Sequence, residues 1–158
     1  MIVEWVFSLF FVWFFPSFFS LFNPFYLPIS SYILKRKPFL AALSAYSVGL
    51  LRDIFLATPR FGMMGLSSLC STLVAFGICS HFSLEGLWGS CILTALLAFC
   101  DILFSTCLGS LFCEHAFFSW KTLIYTLLLS SLWTFIIKSA PMLVKSLYLR
   151  RRHCDSDS

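Results

Sequence analysis

Four apolar stretches, residues 39–57, 62–79, 86–109 and 118–137, dominate this chain. Each reaches the roughly 17–25 residues that a helix needs to cross the hydrocarbon of a bilayer. The turns between them carry Pro59 and Arg60, then His81 to Glu85, then Glu114 and His115, and are too short to hold a water-soluble domain. The expected fold is therefore all-α: a polytopic membrane bundle over residues 1–149, followed by a basic and polar tail at 150–158. Composition agrees, because 59% of the 158 residues are hydrophobic and 11% charged, against roughly 45–50% and 25% in soluble domains. With a mean hydropathy of +0.91, a chain of this size has too little polar surface to coat a soluble globule. A cytosolic enzyme, a disordered tail and a secreted disulfide domain are excluded.

The first 34 residues are less regular. As one helix they would extend about 50 Å at 1.5 Å per residue, well beyond an apolar core of about 30 Å. Pro16, Pro24 and Pro28 interrupt them. Two short spans, residues 2–15 and 18–34, fit better and bring the expected total to six.

The formal charge of +4 does not point to nucleic acid. With six spans, Lys35, Arg36 and Lys37 fall on the same side as Lys138, Lys145, Arg150, Arg151 and Arg152, against Arg60 and Lys121 opposite. Such asymmetry orients a membrane protein with its basic side in the cytoplasm, and places both termini there.

Asp53 and Asp101 lie within confident spans, and Arg52 adjoins the first of them. A charge at a span centre costs about 2.5–3.5 kcal/mol on the insertion scale, so each needs a partner or a role. Ala41, Ala45, Gly49 and Asp53 follow one another at steps of four, a small-residue ridge suited to close helix crossing. Thr94, Ala98, Asp101 and Ser105 repeat the idea two spans later. Hydroxyls of Ser67, Ser68, Ser71 and Thr72, and of Thr122, Thr126, Ser130 and Thr134, are expected donors to the two carboxylates. Arg52 points about 100° away from Asp53 around a helix, and is expected to snorkel outward or to reach another span.

Chemistry-bearing motifs are scarce. There is no Walker loop, dinucleotide fingerprint, nucleophile elbow or His-Glu-x-x-His run. Seven cysteines include no Cys-x-x-Cys pair, so no metal or redox cofactor is expected; only Cys107 and Cys113 have a spacing that would let them meet near a membrane face. Paired intramembrane aspartates suit aspartyl peptidases, and the chain resembles signal peptidase II in length. The asparagine motifs of that family are missing, however: Asn23 is the single asparagine and lies far from both aspartates.

The segment Gly49-Leu50-Leu51-Arg52-Asp53, followed by Gly62 and Gly65-Leu66 opening the next span, resembles the MreD family of rod shape-determining proteins. That resemblance extends to six short spans, a second acidic residue in the fifth, matched by Asp101, and a basic C-terminal end, matched by Arg150, Arg151 and Arg152. It implies a non-enzymatic protein of the bacterial cytoplasmic membrane, without cofactor, acting with MreC, the actin-like MreB and the peptidoglycan-synthesising proteins of cell elongation. Gly49, Asp53, Gly62, Gly65 and Asp101 would then serve partner binding or hold the shape of the docking surface. The family is also similar to the substrate-binding components of vitamin transporters, which makes a small-molecule-binding membrane component the alternative expectation.

Overall fold

The structure, a computed structural model, describes residues 2–14, 23–56, 61–82, 86–111 and 120–156, with side chains described as far as Pro141. Six helices are present among these: α1 (Ile2–Phe14), α2 (Tyr26–Leu34), α3 (Pro38–Phe55), α4 (Met63–His81), α5 (Gly86–Leu111) and α6 (Trp120–Ser156). Four of them, Pro38–Phe55, Met63–His81, Gly86–Leu111 and the Trp120–Pro141 part of α6, are long and apolar enough to cross a membrane.

The start signals are local. Pro38 occupies the first turn of α3, where a missing N–H costs nothing. Gly62 precedes α4 with φ +97°, a left-handed conformation that favours glycine. Asn23 starts α2 by accepting the N–H of Phe25 on its side chain (3.1 Å) and that of Tyr26 on its carbonyl (3.2 Å). Pro28 does not interrupt this helix, contrary to the sequence expectation, because it sits in the first turn, where its N–H would have no intrahelical partner. Of the expected second span, only Tyr26–Leu34 is described as helix; residues 18–22 lie outside the described residues.

Consecutive long helices run antiparallel. Asp53, near the end of α3, meets the start of α4; Ser67, early in α4, meets Asp101, late in α5; Thr94 of α5 meets Thr134 of α6 at 3.0 Å. The α3–α4 pair is the most intimate. A Cβ added to Gly49 would lie 2.4 Å from the Cα of Gly65 and 2.5 Å from the Met64 carbonyl oxygen, so the two backbones touch where the helices cross.

The short helix α2 fills the centre. Phe25, Tyr26, Ile29 and Ile33 are buried against Ala41, Ala45 and Val48 of α3, Ala75 of α4, and Leu93, Leu97 and Ala98 of α5. Helix α1 leans on α2 from outside, through Ser8 donating to the Pro24 carbonyl (3.0 Å) and Trp5 against the Phe25 ring (5.5 Å between centroids). Helix α6 is longer than expected from the 118–137 stretch. It continues past Pro141 through the basic 150–156 segment, and its 37 residues extend about 55 Å, beyond any single span.

The polarity is inverted relative to a soluble domain. Ser67, Ser68, Thr94, Thr134, Arg52, Asp53 and Asp101 are buried, while Phe39, Trp88, Trp120 and Tyr125 are mostly exposed on the outside. Many inner hydroxyls donate to a carbonyl one turn back, as Ser71 does to Ser67 and Thr72 to Ser68, which satisfies them without a partner helix.

Candidate functional site

Asp101 is where four helices converge. Its Oδ2 accepts from Arg52 Nη1 of α3 at 2.6 Å and from the Tyr26 hydroxyl of α2 at 2.5 Å. Its Oδ1 accepts from Ser67 Oγ at 2.8 Å and Ser68 Oγ at 3.2 Å, both on α4. Ser67 also reaches the Asp101 backbone carbonyl at 2.9 Å. Two donors on each oxygen use the roughly four lone-pair sites a carboxylate offers. Arg52 is 9% exposed and Asp101 2%, so this is a buried ion pair held by hydroxyls. Taking both charges out of water costs several kcal/mol per ion, which excellent geometry and extra hydrogen bonds must offset. Tyr26, Ser67 and Ser68 provide those bonds.

Asp53 is used differently. Its Oδ2 accepts the Gly62 N–H at 2.9 Å and its Oδ1 the Met64 N–H at 3.2 Å. Gly62 stands at the cap position of α4 and has no side chain to satisfy the first N–H groups of that helix. Asp53 supplies the cap from the preceding helix, and its negative charge complements the positive end of the α4 dipole.

The residues singled out in the sequence thus separate into two groups. Gly49, Asp53, Gly62 and Gly65 come together as the clasp of the α3–α4 hairpin. Asp101 belongs to the ion pair one helix further on. The ridge of Ala41, Ala45, Gly49 and Asp53 is covered by the chain's own helices, so it is not open to a partner helix. The α6 hydroxyls expected to serve the aspartates do otherwise: Thr134 pairs with Thr94, and Ser130 bonds within its own helix. Lys35, Arg36 and Lys37 form the exposed α2–α3 turn, with Arg36 in the left-handed region at φ 53°. Arg150, Arg151 and Arg152 lie on the α6 extension, and Cys113 falls outside the described residues.

Sequence reasoning misses Tyr26, and of the two expectations for Arg52 the second, reaching another span, is the one realised. A signal existed for Arg52. One cation and one anion isolated in different spans each need a partner, and each can be the other's. Nothing in the sequence marks Tyr26, which reaches Asp101 only because α2 lies inside the bundle. Two further buried donors, Arg52 Nε and Asn23 Nδ2, make no hydrogen bond among the described residues.

Long apolar helices with large side chains outside and hydroxyls and an ion pair inside define an α-helical integral membrane protein. Comparison with protein-family models, curated proteins and solved structures finds no match for the chain.

Proposed function

We propose that the protein is a non-enzymatic scaffold of the bacterial cytoplasmic membrane that docks partner transmembrane helices in the cell-elongation machinery, as resemblance to the MreD family implies. The carrying observation is that Gly49, Asp53, Gly62 and Gly65, the segment most specific to that resemblance, form one physical device. Gly49 crosses Gly65, and Asp53 caps the helix that Gly62 opens, so the motif builds a rigid hairpin. Full occupation of Asp101 by four donors supports a structural role over general acid–base chemistry, which needs a free acceptor facing a substrate. Docking then falls to the outward faces of the helices. MreC and the wall-synthesis proteins would pack there, with MreB linked indirectly beneath the basic side, which the positive-inside rule assigns to the cytoplasm together with both termini.

Affinity purification of the full chain from crosslinked bacterial membranes tests this reading. Recovery of an MreC-type partner is expected, and recovery retained in Asp53→Asn would agree with a capping role for Asp53. A preparation free of elongation proteins would contradict the proposal.

The alternative, a small-molecule-binding membrane component, is favoured by one observation: Arg52 Nε and Asn23 Nδ2 are buried donors that a polar ligand would satisfy. A saturable thermal shift of the detergent-purified protein with a vitamin, lost in Asn23→Ala, would establish it instead.

A further inference from the structure

At the basic end of the bundle, α1 and α6 diverge. Deep in the bundle they touch, the Phe11 and Trp133 rings lying 4.7 Å apart between centroids. Toward the Lys35–Lys37 side they splay, leaving a groove of about 850 Å³ between them. That lies within the roughly 300–1,000 Å³ of small-molecule sites. Its walls are Val3 and Phe7 of α1, Leu34 of α2, Leu87 of α5 and Ile136 and Ile137 of α6. Val3, Phe7 and Ile136 are 62%, 47% and 50% exposed, so the groove opens sideways, toward hydrocarbon when the bundle is in a membrane.

Its polar groups are Glu4, Ser90 and Lys138. The Lys138 ammonium donates to Ser90 Oγ at 2.5 Å. An ammonium has three donors, and this bond uses one of them. Glu4 Oε1 accepts from Ser31 at 3.0 Å. Within the groove Lys138 faces the Glu4 carboxylate; Lys35, on the exposed basic turn beside Leu34, is within electrostatic reach of Lys138 and adds positive charge at this end. Lys138 is also in the last turn of the Trp120–Pro141 span, which is headgroup depth. From Lys138 level down to the Phe11–Trp133 contact the groove runs about 7–10 Å, taking 1.5 Å per residue along either helix.

The geometry points to a binding site for an anionic glycerophospholipid, with its phosphate on the Lys138 ammonium and one acyl chain laid between α1 and α6 down to Phe11 and Trp133. Charge complementarity selects this occupant. A neutral apolar helix would bring no counter-charge to an end where Lys138 lies beside the Lys35–Lys37 turn, whereas a phosphate does, and the first part of its acyl chain matches the apolar walls. Basic pockets between helices on the cytoplasmic side are known to take anionic headgroups. The site is independent of the scaffold reading and survives if that reading fails.

Native mass spectrometry of the full chain released from detergent, with phosphatidylglycerol or phosphatidylcholine of identical acyl chains, tests it. Phosphatidylglycerol is expected to bind about tenfold more tightly. Lys138→Gln should reduce it to the phosphatidylcholine level, and Lys138→Arg should keep the preference. Ala140 also lines the groove, and Ala140→Trp, which narrows it and leaves the charge, should weaken both lipids. Folding of each variant is followed by its thermal transition, so a lost preference in a protein that still melts cooperatively is a binding effect. Equal binding of the two lipids, an unchanged preference in Lys138→Gln, or displacement by glycerol phosphate as effective as by whole lipid would overturn the site. So would a bound transmembrane peptide that excludes lipid from it.

Discussion

Asp53 and Asp101 carry the same side chain on helices that run in the same direction, yet they are held by different chemistry. Asp53 meets backbone N–H groups at a helix start; Asp101 meets a guanidinium and three hydroxyls. The recurrence of Asp-Ile in the two spans therefore does not make the positions equivalent. For Asp101, burial sets the stakes. Removing one member of a buried ion pair leaves the other uncompensated, which costs about 3–5 kcal/mol, whereas removing both is tolerated far better. Asp101→Leu is expected to lower the unfolding free energy in mixed detergent micelles by that amount. Arg52→Leu/Asp101→Leu should lose less than the sum of the two single variants, with a coupling of about 0.5–3 kcal/mol. Additive losses would show that the two side chains do not support one another. The double variant still leaves the Tyr26 hydroxyl without its acceptor, so full recovery is not expected.

At the scale of elements, the α3–α4 hairpin carries the closest contact in the bundle. The Gly49 position faces backbone, not a flexible side chain, so a methyl group cannot be accommodated by a rotamer change. Gly49→Ala should force the helices apart at a cost of about 1–3 kcal/mol, as overpacking does, read in the same micelle assay. Gly77, with open space around a built Cβ, is the control: Gly77→Ala should be neutral or slightly stabilising through helix propensity. Most of this architecture was legible in the sequence. The stretches at 39–57, 62–79 and 86–109 correspond to Pro38–Phe55, Met63–His81 and Gly86–Leu111, because long apolar runs bounded by proline, glycine and charge leave few alternatives. What was not legible depended on packing. Periodicity cannot tell that Tyr26–Leu34 lies in the middle of the bundle, so its tyrosine could not be assigned to Asp101. The full reach of α6 is not legible because Lys138 and Pro141 interrupt the apolar run of 118–137 while the helix continues through both.

Across the described spans, Arg52, Asp53, Asp101 and many hydroxyls turn inward, and many large apolar side chains turn outward. On α3, Leu43, Leu51 and Ile54 are exposed, while Ala41, Ala45 and Val48 are at most 1% exposed. The same division holds on α5 between Ile92 or Phe99 and Leu93 or Leu97. If the internal polar groups serve the bundle itself, any partner must be met by the outer set. The basic turn at Lys35, Arg36 and Lys37, the groove closed by Phe11 and Trp133, and the α6 extension all lie toward one end, which the proposed orientation turns toward the cytoplasm. The most direct measurement is photo-crosslinking in living cells from single positions around α3. The account predicts capture of a partner membrane protein from Leu43, Leu51 or Ile54, and only crosslinks within the chain from Ala41, Ala45 or Val48. Partner capture from the second set would contradict it, since those positions would then face outward and the hairpin would not be closed as described.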